Sequence, residues 1–121
     1  MPYILIVEDH KDFRQAVRRF LELNNVSARM LEASSGEEGV LISRRLKPRL
    51  VLMDFCLRGI NGIEAAQQIK EHDPKCNIIM LTMFDPKEIG SVSGKNVINS
   101  FIGKSDLYEQ LIPSVQKALY N

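Results

Sequence analysis

Cysteine is scarce in this chain: Cys56 and Cys76 are the only two, too few for a disulfide framework and without the CxxC spacing of a redox or zinc motif. With no signal-peptide pattern either, the expected compartment is a reducing cytoplasm. Long apolar runs are missing, and nothing approaches the ~18 consecutive apolar residues of a membrane span. An excess of one charge is missing as well. Lys and Arg number 16 against 15 Asp and Glu, a net charge of +1, so no long-range field drives the chain onto nucleic acid or an anionic membrane. The nearest basic cluster, Arg44, Arg45, Lys47 and Arg49, has no interleaved aromatics and reads as a solvated helix end and loop. Repeats, low-complexity segments and internal linkers are absent, and residues 1–121 are read as one domain with room for a real core.

What the chain does have is short apolar runs that end in polar residues. Tyr3-Ile4-Leu5-Ile6-Val7 runs into Glu8-Asp9, Leu50-Val51-Leu52-Met53 into Asp54, and Ile78-Ile79-Met80-Leu81 into Thr82; a fourth run, around residues 97–102, stops near Lys104. Runs of this length read as strands buried on both faces, and in a parallel sheet their carboxyl ends share one edge. Open α/β sheets bind and process ligands along that edge. Met30, Met53 and Met80 fall in strand contexts and read as core.

Helical periodicity alternates with these strands. Phe13, Val17, Phe20 and Leu21 form the stripe of a first helix, and residues 26–31 alternate weakly as an edge strand. Ser35-Gly36-Glu37-Glu38 has the spacing of a capping box for a second helix, which Lys47-Pro48 stops. Ile63, Ala66 and Ile69 give a third helix, closed by Pro74. Asp85-Pro86-Lys87-Glu88 is a helix start with Asp85 as its cap. Gly90, Ser91, Ser93 and Gly94 continue it badly, each Gly costing about 1 kcal/mol relative to Ala, so the fourth helix is expected to be short, frayed or irregular. Leu107, Leu111, Val115, Ala118 and Leu119 define the last helix, with Ser105 as its N-cap. Five alternations of strand and helix require right-handed crossovers and a doubly wound parallel sheet with helices on both faces.

Three carboxylates gathered on one edge repel one another unless a cation or a proton intervenes, which suggests a hard divalent ion with oxygen ligands. Mg²⁺ fits best, because it takes one or two carboxylates and keeps water or phosphate oxygens around the rest of its octahedron. A carboxylate beside such an ion can attack phosphorus and form an acyl phosphate. Lys104 would offset the remaining phosphoryl charge, and the Thr82 hydroxyl would donate a hydrogen bond to a phosphoryl oxygen. Singly, each residue has a plainer reading: acids at a solvated chain exit, a turn aspartate, a turn threonine, a surface lysine. Jointly they point to phosphoryl chemistry. An FMN carrier of similar topology would need a Ser/Thr/Gly-rich phosphate loop after the first strand, and Glu8-Asp9-His10-Lys11-Asp12 would repel that phosphate.

Four segments, Ile4-Leu5-Ile6-Val7-Glu8-Asp9-His10, Leu52-Met53-Asp54 with Gly62 eight positions on, Leu81-Thr82, and Phe101-Ile102-Gly103-Lys104, carry a resemblance that spans essentially the whole chain. The sequence resembles the receiver domain of two-component response regulators. Its Glu-Asp-His opening and Lys-Ser-Asp-Leu segment are similar to receivers of LuxR-type transcription regulators. The resemblance implies a flavodoxin-like fold, a five-stranded parallel sheet in the order 2-1-3-4-5, and a phosphorelay. Asp54 would accept a phosphoryl group from the phosphohistidine of a sensor kinase. Glu8, Asp9, Asp54 and the backbone carbonyl of Cys56 would hold Mg²⁺. Thr82 and Lys104 would contact the phosphoryl group, and Phe101 would be the aromatic switch that follows Thr82. The implied partners are a sensor histidine kinase and a second copy of the chain; DNA would be reached only through an output domain outside these residues, and no membrane contact is expected. No enzymatic activity is expected beyond the chain's own phosphorylation and dephosphorylation. The alternative is a receiver-fold interaction module that works without phosphorylation.

Several positions depart from that family's pattern. Ser105 follows Lys104 where a proline after a cis bond is usual; a cis bond before a non-proline residue costs about 2.5–4 kcal/mol, so trans is expected. Arg58 replaces a loop-stiffening proline and is read as solvent-facing, with contact to the phosphoryl group as the alternative. Met83, where a small residue is common, is expected to screen the site from water and slow hydrolysis. His10 reads as a first-turn polar residue rather than a metal ligand, and Cys56 as an inert thiol. The glycine-rich fourth helix alters the usual output face, which is then either dynamic or not the face used.

Overall fold

Five short strands carry the apolar runs in a computed structural model, which describes residues 1–89 and 94–120. They are β1 (Tyr3–Val7), β2 (Arg29–Ala33), β3 (Leu50–Asp54), β4 (Asn77–Thr82) and β5 (Ser100–Gly103). All pair in parallel, in the order β2-β1-β3-β4-β5, the flavodoxin-like order that the resemblance implies. The central strands are apolar except at their ends because helices cover both faces. Four α-helices are found among the described residues: α1 (Lys11–Leu23), α2 (Gly36–Leu46), α3 (Gly62–His72) and α4 (Leu107–Tyr120). Period-two alternation divides each strand between two cores. Ile4, Ile6, Leu50, Leu52, Ile79 and Leu81 meet α1 and α4 through Val17, Leu21, Leu111 and Val115. On the opposite face Leu5, Val7, Val51, Met53, Ile78 and Met80 meet Val40 of α2 and Ala65, Ala66 and Ile69 of α3. None of the described helices is long and apolar enough to cross a membrane.

Sequence and structure part at several element ends, each for a local reason. The edge strand occupies Arg29–Ala33 instead of residues 26–31, because the Val26 N–H donates to the Leu21 carbonyl at 3.2 Å and keeps Val26 in the turn that ends α1. Ser35 does cap α2, its Oγ accepting from the Glu38 N–H at 3.1 Å; Glu38 returns a bond to the Ser34 N–H, one residue beyond the usual box. Asn61 caps α3 through its Oδ1, which accepts from the Glu64 N–H at 2.9 Å. Ser105 does not cap the last helix. It lies inside a 3-10 turn, Lys104–Asp106, that leads directly into α4.

The segment read as a fourth helix begins as a 3-10 turn, Pro86–Ile89, with Asp85 Oδ1 accepting from the Lys87 N–H at 2.9 Å, and a second 3-10 turn follows at Lys95–Val97. Gly90, Ser91 and Ser93, on which the expectation of irregularity rests, lie outside the described residues. The Lys104–Ser105 bond is trans, as its sequence requires.

Strand β2 is tied to α1 by charge. Glu32 Oε1 accepts from Arg14 Nε and Glu32 Oε2 from Arg18 Nη1, both at 2.8 Å. Burial acts to raise the Glu32 carboxyl, but the two guanidiniums outweigh it and hold the group below the ordinary glutamate value. A carboxyl depressed on folding stabilises the fold above its unfolded pKa, and that contribution disappears as pH falls through the folded value. Glu32→Gln is therefore expected to lower stability by about 1 kcal/mol at neutral pH. Urea unfolding at a series of acid pH values should show the difference vanishing as wild-type Glu32 protonates.

Candidate functional site

Parallel register delivers the polar residues that follow each strand to one place. Val7 pairs with Met53, Asp54 with Leu81, and Thr82 with Gly103, so Glu8, Asp54 and Lys104 arrive side by side at the carboxyl edge. The Glu8 N–H donates to the Ala33 carbonyl at 3.0 Å, which continues the β1 pairing one residue into the acidic segment. Glu8 and Asp54 are both buried. Between them stands one cation: Lys104 Nζ lies 3.2 Å from Asp54 Oδ1 and 3.3 Å from Glu8 Oε1. The same ammonium sits 4.4 Å from the centroid of the Phe13 ring, whose negative face favours a cation.

The two adjacent acids of the β1 exit are driven apart. Burial pushes the Glu8 carboxyl up, and the Asp54 charge adds to the effect, while the His10 N–H and Lys104 only partly offset it. Partial burial also acts against ionised Asp9, yet hydrogen bonding with Glu8 and the nearby His10 and Arg58 hold it below the ordinary aspartate range. A buried oxygen is also left over. Asp9 Oδ1 has no hydrogen-bond partner, although His10 Nδ1 lies 3.3 Å away. A buried carboxylate oxygen without a partner is costly, and adjacent carboxylates with such an atom suit a hard cation such as Mg²⁺. Glu8, Asp9 and His10 offer ligand atoms within 4.8 Å of one another. His10 itself is the N-terminal boundary residue of α1 and is largely exposed, in keeping with a first-turn polar residue.

The remaining sequence-predicted residues line up less directly. Thr82 is wholly buried at the end of β4, and its Oγ1 accepts from the Phe84 N–H at 3.0 Å. Phe101 pairs with Met80 and packs half-buried on the α2–α3 side of the sheet, the face that Thr82 shares by strand alternation. Cys56 is exposed in the loop after β3, whereas burial pushes the Cys76 thiol up to about 12 and leaves it inert. Met83 is 83% exposed, and a side chain so open to solvent screens little. Arg58 is solvent-exposed as expected, but its Nε also donates to Asp9 Oδ2 at 3.2 Å, a contact the sequence reading did not foresee.

Two supporting residues were missed. Phe13 reads as an ordinary stripe residue of α1, and only the fold puts its ring under Lys104. Arg14 Nη1 donates to the Glu8 carbonyl at 2.8 Å while its Nε holds Glu32, so α1 fixes the backbone that carries the first acid. Gly62, eight positions after Asp54, packs against the strand that carries it: a Cβ there would stand 2.6 Å from the Asp54 carbonyl oxygen and 2.9 Å from Met80 Sδ. The Asp54 carbonyl cannot retreat without moving buried β3, so Gly62→Ala is expected to cost about 2 kcal/mol by overpacking. Thermal unfolding checks the loss, and a variant as stable as wild type would contradict the close approach.

The response regulator receiver domain family matches residues 4–116. The chain belongs to that family. The receiver is 31% identical over 115 residues to the response regulator protein VraR of Staphylococcus aureus, a match covering 94% of this chain and 54% of VraR. It thus spans about half the length of the curated relatives it matches. A two-component response regulator of the LuxR family from Aurantimonas sp. superposes with a TM-score of 0.88 at 27% identity, covering 98% of this chain and 85% of the other. The response regulator TrrA of Thermotoga maritima, solved in complex with Mg²⁺-BeF, superposes with a TM-score of 0.86 at 26% identity, covering 98% of the receiver and 99% of TrrA.

Proposed function

We propose that the receiver works in the cytoplasm, where it accepts a phosphoryl group on Asp54 from the phosphohistidine of a sensor histidine kinase in a Mg²⁺-dependent reaction and passes the new state to a transcriptional output. The observation that carries this reading is the single ammonium of Lys104 bridging buried Asp54 and Glu8, beside an Asp9 oxygen that has no partner. A carboxylate oxygen of Asp54 would form the new O–P bond as the P–N bond to the kinase histidine breaks, with the electron pair leaving on the imidazole nitrogen. Bound by Glu8, Asp9, Asp54 and the Cys56 carbonyl, Mg²⁺ would neutralise charge on the transferring oxygens. Lys104 already lies 3.2 Å from the acceptor and would follow the charge onto the phosphoryl group.

Thr82 Oγ1 accepts one bond from Phe84, which leaves its own proton free to donate to a phosphoryl oxygen. Such a new bond would pull on the β4 exit and on Phe101 across the same face, shifting the population between two arrangements of that region. A DNA-binding output is supported by the likeness to the LuxR-family regulator and by relatives about twice as long as this chain. Incubation with acetyl phosphate tests the chemistry. Intact mass should rise by one phosphoryl group with Mg²⁺ and stay unchanged without it; no adduct in the presence of Mg²⁺ would favour the phosphorylation-independent module instead.

A further inference from the structure

We infer that Arg58 is a built-in counter-cation for the acidic crevice, seated on Asp9 in the metal-free receiver and displaced when a divalent ion binds. The inference rests on the proposed metal site and adds a residue that weakens its affinity. Arg58 Nε lies 3.2 Å from Asp9 Oδ2, although the side chain as a whole is 84% exposed. The guanidinium therefore comes in from solvent across the mouth of the crevice and lands on one of its acids. Its approach is set by the loop that follows. Gly59 adopts a left-handed φ of 75°, and a Cβ at this position would stand 2.6 Å from Glu37 Oε2. The same Glu37 oxygen accepts from the Ile60 N–H at 3.4 Å. The first turn of α2 thus holds the loop directly after Arg58 and limits where its side chain can reach.

Electrostatics then sets the direction of the effect. Lys104 meets two carboxylates, Glu8 and Asp54, and Arg58 supplies a positive charge to the third, Asp9. Asp9 Oδ1 has no hydrogen-bond partner and can serve Mg²⁺ as an oxygen ligand, but an ion there would place two cations on one carboxylate, and their repulsion drives the guanidinium off Oδ2. An ion pair so exposed is weakly held, so Arg58 tunes metal affinity and does not block the site.

Isothermal titration of Mg²⁺ into the wild-type receiver, Arg58→Gln and Arg58→Lys tests this, with melting temperatures taken in EDTA and in saturating Mg²⁺. Arg58→Gln should bind Mg²⁺ about two- to five-fold more tightly, and 1 M salt should shrink the difference. The glutamine variant should also melt lower than wild type in EDTA and gain more from Mg²⁺, whereas Arg58→Lys, which keeps the charge, should stay near wild type in both. Equal or weaker Mg²⁺ binding by Arg58→Gln would overturn the role of Arg58 alone. Absence of binding in all three proteins would overturn the metal site and this role with it.

Discussion

Asp54→Asn is expected to abolish phosphoryl uptake and leave the fold standing. An amide oxygen is a poor nucleophile toward phosphorus and cannot carry the acyl phosphate, so intact mass after incubation with acetyl phosphate and Mg²⁺ should show no adduct. Stability should move little, for a reason visible in the charges. Asp54 is buried and adds to the repulsion that raises the Glu8 carboxyl, so neutralising it relieves a like-charge contact. Lys104 keeps Glu8 as its partner at 3.3 Å. Urea unfolding of Asp54→Asn should therefore fall within about 1 kcal/mol of wild type. A variant that loses the adduct and also unfolds would leave the chemical role of Asp54 unproven.

Lys104→Met is expected to damage both stability and chemistry. Removing one partner of a buried ion pair costs about 3–5 kcal/mol, because the charge left behind stays buried and unpaired. Here Lys104 is itself 21% exposed and water can reach part of the crevice, so the expected loss is nearer 2 kcal/mol. Methionine retains most of the apolar stem that packs beside Phe13, so the loss reports the charge. Mg²⁺ should recover much of the stability by taking over the neutralising role. It should not recover the rate. Phosphoryl uptake from acetyl phosphate in saturating Mg²⁺ should remain about 10²-fold slower, since the ammonium that follows charge onto the phosphoryl group is gone. Chemical denaturation and timed mass spectra check the two halves separately, and a Lys104→Met protein of wild-type stability in EDTA would contradict the bridging geometry.

The sheet was legible because β1, β3 and β4 are buried on both faces and so read as unbroken apolar runs whose ends mark the crevice. Edge strand β2 was misplaced by a few residues for the opposite reason. It is half-solvated, carries Arg29 and Glu32, and has no apolar run to mark its ends. The acids and Lys104 were found from their positions at strand ends alone. Contacts made across long sequence separations were not: Arg58 reaches Asp9 and Phe13 lies beneath Lys104 only because loops and helices return to the same edge. Residue type gives no hint of such meetings, since an arginine in a polar loop and a phenylalanine in a helical stripe already have ordinary explanations. Ser105 shows a related limit, because a serine ahead of an apolar stripe looks like a cap whether the chain enters the helix directly or through a 3-10 turn.

Phosphorylation of the receiver would join phosphorus covalently to one carboxylate. An acyl phosphate is reduced by borohydride to an alcohol, which converts a phosphorylated aspartate to homoserine and leaves a stable mark for peptide mapping. Treating the receiver with acetyl phosphate and Mg²⁺, then with borohydride, should place homoserine at position 54 and at no other acid, and EDTA should prevent it. A mark on Glu8 or Asp9 in place of Asp54, or no mark at all with Mg²⁺ present, would contradict the assignment of Asp54 as the phosphoryl acceptor.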